Sequence, residues 1–154
     1  LSRHDALPIY YTRVTYDLTL NFARALEWHN PDAAFCYVTG ASTDSTERGR
    51  VMWARVKGAT ENELLRLFKR ATMFRPAMMR ATPGQKNLKP WYRALAWIYP
   101  IGRVLAPSWC CTLQEVGRAM INAAVAGAPQ PVLEVRDIVA LAGRPGSYLI
   151  RSTT

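Results

Sequence analysis

Lys57 stands four residues after Trp53, so on a helix the two side chains leave the same face. A lysine offers a positive charge and several N–H donors, whereas an indole N–H donates only and has no accessible acid–base equilibrium. A lysine on a helix is by default a solvated one, and what sets Lys57 apart is its surroundings. Upstream, Thr39-Gly40-Ala41-Ser42 puts two hydroxyls at the end of a short apolar run, and downstream Phe74-Arg75-Pro76-Ala77 ends another. Loop hydroxyls commonly bond their own backbone. In an open α/β sheet, however, ligands bind beyond the carboxyl ends of the strands, which makes residues 39–42 and 75–77 the expected pocket. Asp44 and Glu47 lie in the intervening loop, within reach of a pocket as acids. Arg50 and Arg55 could bind an anionic group but not donate a proton, given a guanidinium pKa above about 12. Tyr37 falls inside the first run and is expected to be buried. Glu61 follows Lys57 by four residues and reads as an ordinary surface pair with it.

The elements that must position these residues follow from periodicity. Residues 15–29 have Leu18, Phe22, Ala25 and Leu26 at helical spacing, and Asn30-Pro31 ends the pattern. Residues 33–38 suit a buried parallel strand, and the polar, hydroxyl-rich residues 39–50 suit a loop. Residues 51–69 return to helical spacing, with Trp53, Val56, Leu64, Leu65 and Phe68 available for burial. Residues 71–78 form the next strand candidate, which Pro76 bars from interior pairing beyond Arg75. Residues 79–89 read as a loop. Residues 112–126 form an amphipathic helix with Leu113, Val116, Met120, Ile121 and Ala124 near one face. It is opened by a Thr112/Glu115 capping box and stopped by Gly127. A short strand at 131–135, a short helix at 136–142 and a ragged tail from 143 complete the chain. Alternating helices and strands predict an α/β domain with a parallel sheet. Its few strands fit part of a doubly wound sheet, with an edge left open.

The strand ending in Thr39–Ser42, followed by a helix with Trp53-x-x-x-Lys57, resembles the second half of a short-chain dehydrogenase/reductase domain. The branch is the NAD-dependent epimerase/dehydratase-like one, and the resemblance covers residues 12–142. In that family a Ser or Thr ends the strand and a Tyr-x-x-x-Lys pair opens the helix. Trp53 therefore stands where the catalytic tyrosine is usual. Phe74-Arg75-Pro76-Ala77 is similar to the family's post-strand element, whose backbone closes over the nicotinamide end of the cofactor. The segment from Cys111 to Ala119 resembles its late helix. The resemblance implies a Rossmann-like fold and an NAD or NADP cofactor. Thr39, Gly40, Lys57, Phe74, Arg75, Pro76 and Ala77 would lie against that cofactor, and Lys57, Thr39 and Ser42 would be the catalytic set. It implies Lys57 bonding the nicotinamide ribose hydroxyls. The substrate would be a hydrophobic carbonyl compound or a sugar-like one. A nucleotide-sensing module that kept Lys57 and lost proton transfer is the alternative.

No glycine-rich dinucleotide turn and no P-loop occur anywhere in the sequence, so the part that would hold a pyrophosphate at a helix N-terminus is missing. This predicts weak or absent dinucleotide binding by these residues alone. Residues 1–10 look foreign: His4 to Ile9 match the translation of a sequencing-adapter end (CACGACGCTCTTCCGATC). The expectation is a C-terminal portion, residues 11–142, of a longer domain, with residues 143–154 as tail. At 154 residues and 49% hydrophobic content the chain can build a core. The formal charge of +9 comes from basic residues scattered among helices, which argues against a nucleic-acid stripe. Cys36, Cys110 and Cys111 lack metal-ligand spacing and point to a reduced, cytoplasmic protein. The aromatic residues 90–105 suit core packing, a lid over a hydrophobic substrate, or contact with a membrane surface.

Overall fold

The computed structural model describes residues 3–80, 99 and 104–145, the side chains of residues 3–6 and of Pro107 excepted. The chain opens on one helical run: α1 (Arg3–Thr12), a π-helical turn (Arg13–Asp17) and α2 (Leu18–His29). No break marks residue 10, where the sequence suggested a change of origin. Strand β1 (Ala34–Val38) leads through the loop at 39–51 into α3 (Met52–Leu67) and β2 (Arg70–Arg75). After β3 (Met78–Arg80), a 3-10 turn (Pro107–Trp109) precedes β4 (Cys110–Thr112) and α4 (Leu113–Ala126). The described chain ends with β5 (Val132–Glu134) and α5 (Val135–Ala142).

The architecture is α/β with a small parallel sheet. β2 lies between β1 and β5, all parallel, with Phe35 opposite Ala71 and Arg75 opposite Glu134. A central parallel strand is covered on both faces and so reads as a continuous apolar run. Ala71, Thr72, Met73 and Phe74 are accordingly all buried. Successive strand residues point to opposite faces, and β2 shows this directly. Met73 joins Phe35, Leu20, Ala23, Leu64 and Phe68 from β1, α2 and α3. Phe74 joins Leu133, Val116, Ala119, Ile138 and Leu141 from β5, α4 and α5. Two helix layers therefore clasp one sheet. Each fully buried Leu, Ile or Phe contributes about 1.5–3 kcal/mol to that grip.

Pro76 ends β2 after Arg75, as its missing N–H requires. The Thr112/Glu115 capping box forms in both directions, and α4 stops at Gly127 in a left-handed conformation (φ 83°). Buried Asn122 donates to the Leu141 carbonyl oxygen at 2.9 Å, tying α4 to the end of α5.

Three details differ from the sequence reading. The face of α2 turned inward carries Leu20 and Ala23, while Leu18 and Phe22 are exposed. Apolar residues occupy both faces of this helix, and spacing alone does not say which one packs. In α4 the buried set is Val116, Ala119, Asn122 and Ala123, with Leu113 and Ile121 outward. β3 and β4 form a second, two-stranded parallel pair in regions read as loop and helix start. The aromatic stretch at 91–98 and the tail from 146 lie outside the described residues. Among the described residues, no helix is long and apolar enough to cross a membrane.

Gly58, mid-helix in α3, is where the loop after β1 crosses closest. A Cβ there would stand 1.8 Å from the Asp44 carbonyl oxygen, a backbone atom. Replacing a helix glycine by alanine gains about 1 kcal/mol in propensity. This overlap cannot be relieved without moving the loop, and overpacking of that kind costs about 1–3 kcal/mol. Gly58→Ala is expected to lower the urea midpoint; an unchanged or raised midpoint would show that the loop is free to lift.

Candidate functional site

The pairing of β1 with β2 continues past the strands and builds the site. Thr39 N donates to Phe74 O at 2.9 Å, and Ala41 N donates to Pro76 O at 3.1 Å. These bonds bring residues 39–41 beside residues 74–76 at the carboxyl ends of the strands. Lys57 reaches this junction from α3, its Nζ donating to the Thr39 carbonyl oxygen at 2.9 Å. The same Nζ lies 5.6 Å from the centre of the Trp53 ring, within cation–π range. Gly40 leaves room here, since a Cβ at that position would sit 3.7 Å from Lys57 Nζ and 3.8 Å from Pro76 O, ordinary contacts. Lys57 is half-buried. Burial pulls its ammonium below the ordinary lysine value, while the negative charge of Glu61 acts the other way.

Beneath the junction sits a carboxylate that sequence spacing misplaced. Glu61 is only 1% exposed and serves Arg75 and Thr39, not the helix surface. Arg75 Nε donates to both of its oxygens, at 3.1 and 3.2 Å, and Nη2 closes the ion pair. Thr39 Oγ1 donates to Glu61 Oε1. Arg75 also donates to Ser45 Oγ and lies 3.5 Å from Glu134 at the end of β5. Burial works against the guanidinium charge, and Glu61 and Glu134 more than offset it, so Arg75 is held charged. The signal available in sequence was an acidic residue on the helix face that also carries Ala54, Gly58 and Leu64, all of which are buried.

The other expected site residues are dispersed. Ser42 is exposed on the turn after Gly40. The Phe74 ring is buried in the core, and its carbonyl oxygen is engaged by Thr39 N. Pro76 is buried, and Ala77 packs partly against the α4–α5 side of the core. The Asp44 carboxylate accepts from Thr46 Oγ1 and N and from Gly49 N, contacts that hold it below the usual carboxylate range and organise the loop. Glu47 accepts from Asn62 Nδ2 at 2.6 Å. Tyr37 is half-buried, with its phenol raised first by burial. Chemically, the junction presents one cation with hydrogens to spare, an exposed indole and a hydroxyl committed inward. Among the described residues, no group of three or more His, Cys, Asp or Glu could hold a metal ion.

Two outcomes test this arrangement. Glu61→Ala would strand the Arg75 charge and the Thr39 hydroxyl in a site built for a carboxylate. Breaking a buried pair costs about 3–5 kcal/mol, so chemical denaturation should show most of the stability lost; a loss no larger than a surface substitution causes would refute the burial. The Thr43 hydroxyl is buried with no hydrogen-bond partner among the described residues. Because a buried polar group left unpaired costs about 1–3 kcal/mol, the isosteric Thr43→Val should leave the melting temperature unchanged or raise it.

Compared with known protein families and with curated proteins, the chain matches no family model and no curated sequence.

Proposed function

We propose that this chain is the C-terminal part of a Rossmann-like, NAD(P)-binding domain of the short-chain dehydrogenase/reductase superfamily, in its epimerase/dehydratase-like branch. Trp53 replaces the usual catalytic tyrosine. The observation that carries the reading is the Lys57 Nζ–Thr39 O bond at the carboxyl ends of β1 and β2, directly beside Arg75-Pro76. A parallel sheet clasped by helices on both faces supports it, as does the edge of β1, which is unpaired among the described residues. Such an edge can accept the next strand of a doubly wound sheet.

The residues present fit the nicotinamide end of a dinucleotide. Among the described residues, Lys57 spends one hydrogen on Thr39 O and keeps others that can bond ribose hydroxyls. Gly40 leaves space beside its Nζ, and the Pro76 carbonyl oxygen lies next to that space. They supply nothing for the pyrophosphate, so full affinity calls for a glycine-rich turn outside this sequence. When bound, the cofactor supplies or accepts a hydride. The chain's own part is to hold the ribose through Lys57 and to fix that lysine through Thr39. The exposed Trp53 ring offers an apolar substrate a flat surface. Free thiols at Cys36 and Cys110 fit a cytoplasmic protein.

A second reading, a nucleotide sensor without turnover, is favoured by one fact: neither the Trp53 indole nor the inward-donating Thr39 hydroxyl resembles the family's acid. Fluorescence titration of the native full-length product with NADH and NADPH tests the shared cofactor claim. Lys57→Met should weaken binding about tenfold or more, the worth of hydrogen bonds to a charged group. No binding of either dinucleotide would remove both readings. Trp53→Tyr places a phenol four residues before Lys57. Since general acid catalysis is worth about 100-fold or more, on the sensor reading this variant should gain carbonyl reduction; a variant that binds the dinucleotide and reduces nothing would show that position 53 does not face the reacting carbonyl.

A further inference from the structure

A reduction at this site needs a proton for the substrate oxygen, and among the described residues at the junction the geometry sets most candidates aside. Glu61 accepts from Arg75 at both of its oxygens in a salt bridge. The Thr39 hydroxyl must therefore spend its one hydrogen on Glu61, and its other near neighbour, Phe74 O at 3.4 Å, is an acceptor too. Thr39 has no hydrogen left for a ligand. The Arg75 nitrogens face Glu61, Ser45 and Glu134, and a guanidinium does not give up its proton. The Trp53 indole has no accessible acid form. The Asp44 carboxylate is held in its ionised state by the loop around it. Ser42, exposed on its turn, is an aliphatic alcohol and too weak an acid. Among the described residues at the junction Lys57 remains: one N–H is fixed on Thr39 O, its other hydrogens have no partner among those residues, and Gly40 beside it carries no side chain.

We infer that Lys57 is itself the proton donor to the carbonyl oxygen of an apolar ketone or aldehyde lying against Trp53, and the base in the reverse direction. The inference rests on the NAD(P)-dependent reading above. A hydride from the reduced dinucleotide forms the new C–H bond, and the carbonyl π pair moves to oxygen. One Lys57 N–H bond breaks, its proton joins that oxygen, and the electron pair stays on nitrogen as a neutral amine that solvent reprotonates. The products are an alcohol and the oxidised dinucleotide. Burial, which lowers the proton affinity of Lys57, acts in the direction this role needs. The Thr39 carbonyl fixes where the ammonium stands, so Thr39 is a positioning residue here.

The test uses the native full-length product, NADPH and a panel of apolar ketones and aldehydes. Lys57→Arg keeps the charge and the ribose donors but cannot lose a proton. It should bind NADPH within about threefold of wild type, by fluorescence, while kcat falls about 100-fold or more, the scale of general acid catalysis. Adding Trp53→Tyr to Lys57→Arg should return at least about a tenfold rate, by supplying a different acid. Should Lys57→Arg perturb the circular dichroism spectrum, Lys57→Ala with added alkylamines replaces it. Rate recovery that depends on amine basicity is then expected, which a purely structural lysine would not produce. Lys57→Arg turning over like wild type would overturn the inference and leave the cofactor reading intact. So would a wild type that binds NADPH but reduces nothing until Trp53 becomes Tyr. Failure of the wild type to bind either dinucleotide would instead sink the cofactor reading, and this inference with it.

Discussion

One buried carboxylate holds this end of the molecule together. Taking Glu61 out of water costs several kcal/mol, and only an oriented counter-charge with hydrogen bonds to the remaining lone pairs offsets that. Arg75 supplies the charge from the end of β2, and Thr39 supplies a hydroxyl from the end of β1. Because the two donors come from neighbouring strands and the acceptor from the helix between them in sequence, α3 is locked against the sheet at one height. That height sets Lys57, one turn earlier on α3, level with the Thr39 carbonyl. The ammonium is therefore placed by a tertiary network, and its own helix contributes only the stem.

The loop after β1 is fixed by the same helix from the other side. Gly58 lets the Asp44 backbone lie directly on α3, and Asn62 donates to Ser45 O at 3.0 Å and to Glu47. Asp44 then closes the loop on itself through Thr46 and Gly49. These polar residues are spent on the shape of the loop. Among the described residues, Lys57 and the Trp53 ring stand together at this rim, a charge beside an apolar plane.

The sheet was legible because parallel strands announce themselves as short apolar runs, and β1, β2 and β5 fall where those runs lie. The strand end at Arg75 and the cap at Thr112 were legible too, since proline and a capping box act within a few residues. Burial on α2 was not, because Leu18 and Phe22 form as good a stripe as Leu20 and Ala23, and only the sheet chooses between them. β3 and β4 escaped because three-residue strands paired across thirty residues carry no periodicity of their own. Glu61 was assigned to Lys57 by local spacing, whereas its true partner lies on a strand that spacing cannot see. The glycine at 58 was the available hint, since a glycine inside a helix usually marks something passing close by.

The edge of β1 has a consequence beyond the fold. Its row of backbone groups, unpaired among the described residues, is only one strand from the centre of the sheet, and the strand carries no proline or charged residue to discourage pairing. Phe22, itself exposed, lies beside the Phe35 ring of β1, and Val38 at the end of the strand is exposed as well. Kept concentrated without a covering strand, the chain has a ready template for edge-to-edge growth. Because the register of β1 runs straight into Thr39, any strand that added there one residue out of step would pull on the lysine's anchor. Self-association and damage to the site would then be one event, seen as turbidity in a purified sample well before the helices melt.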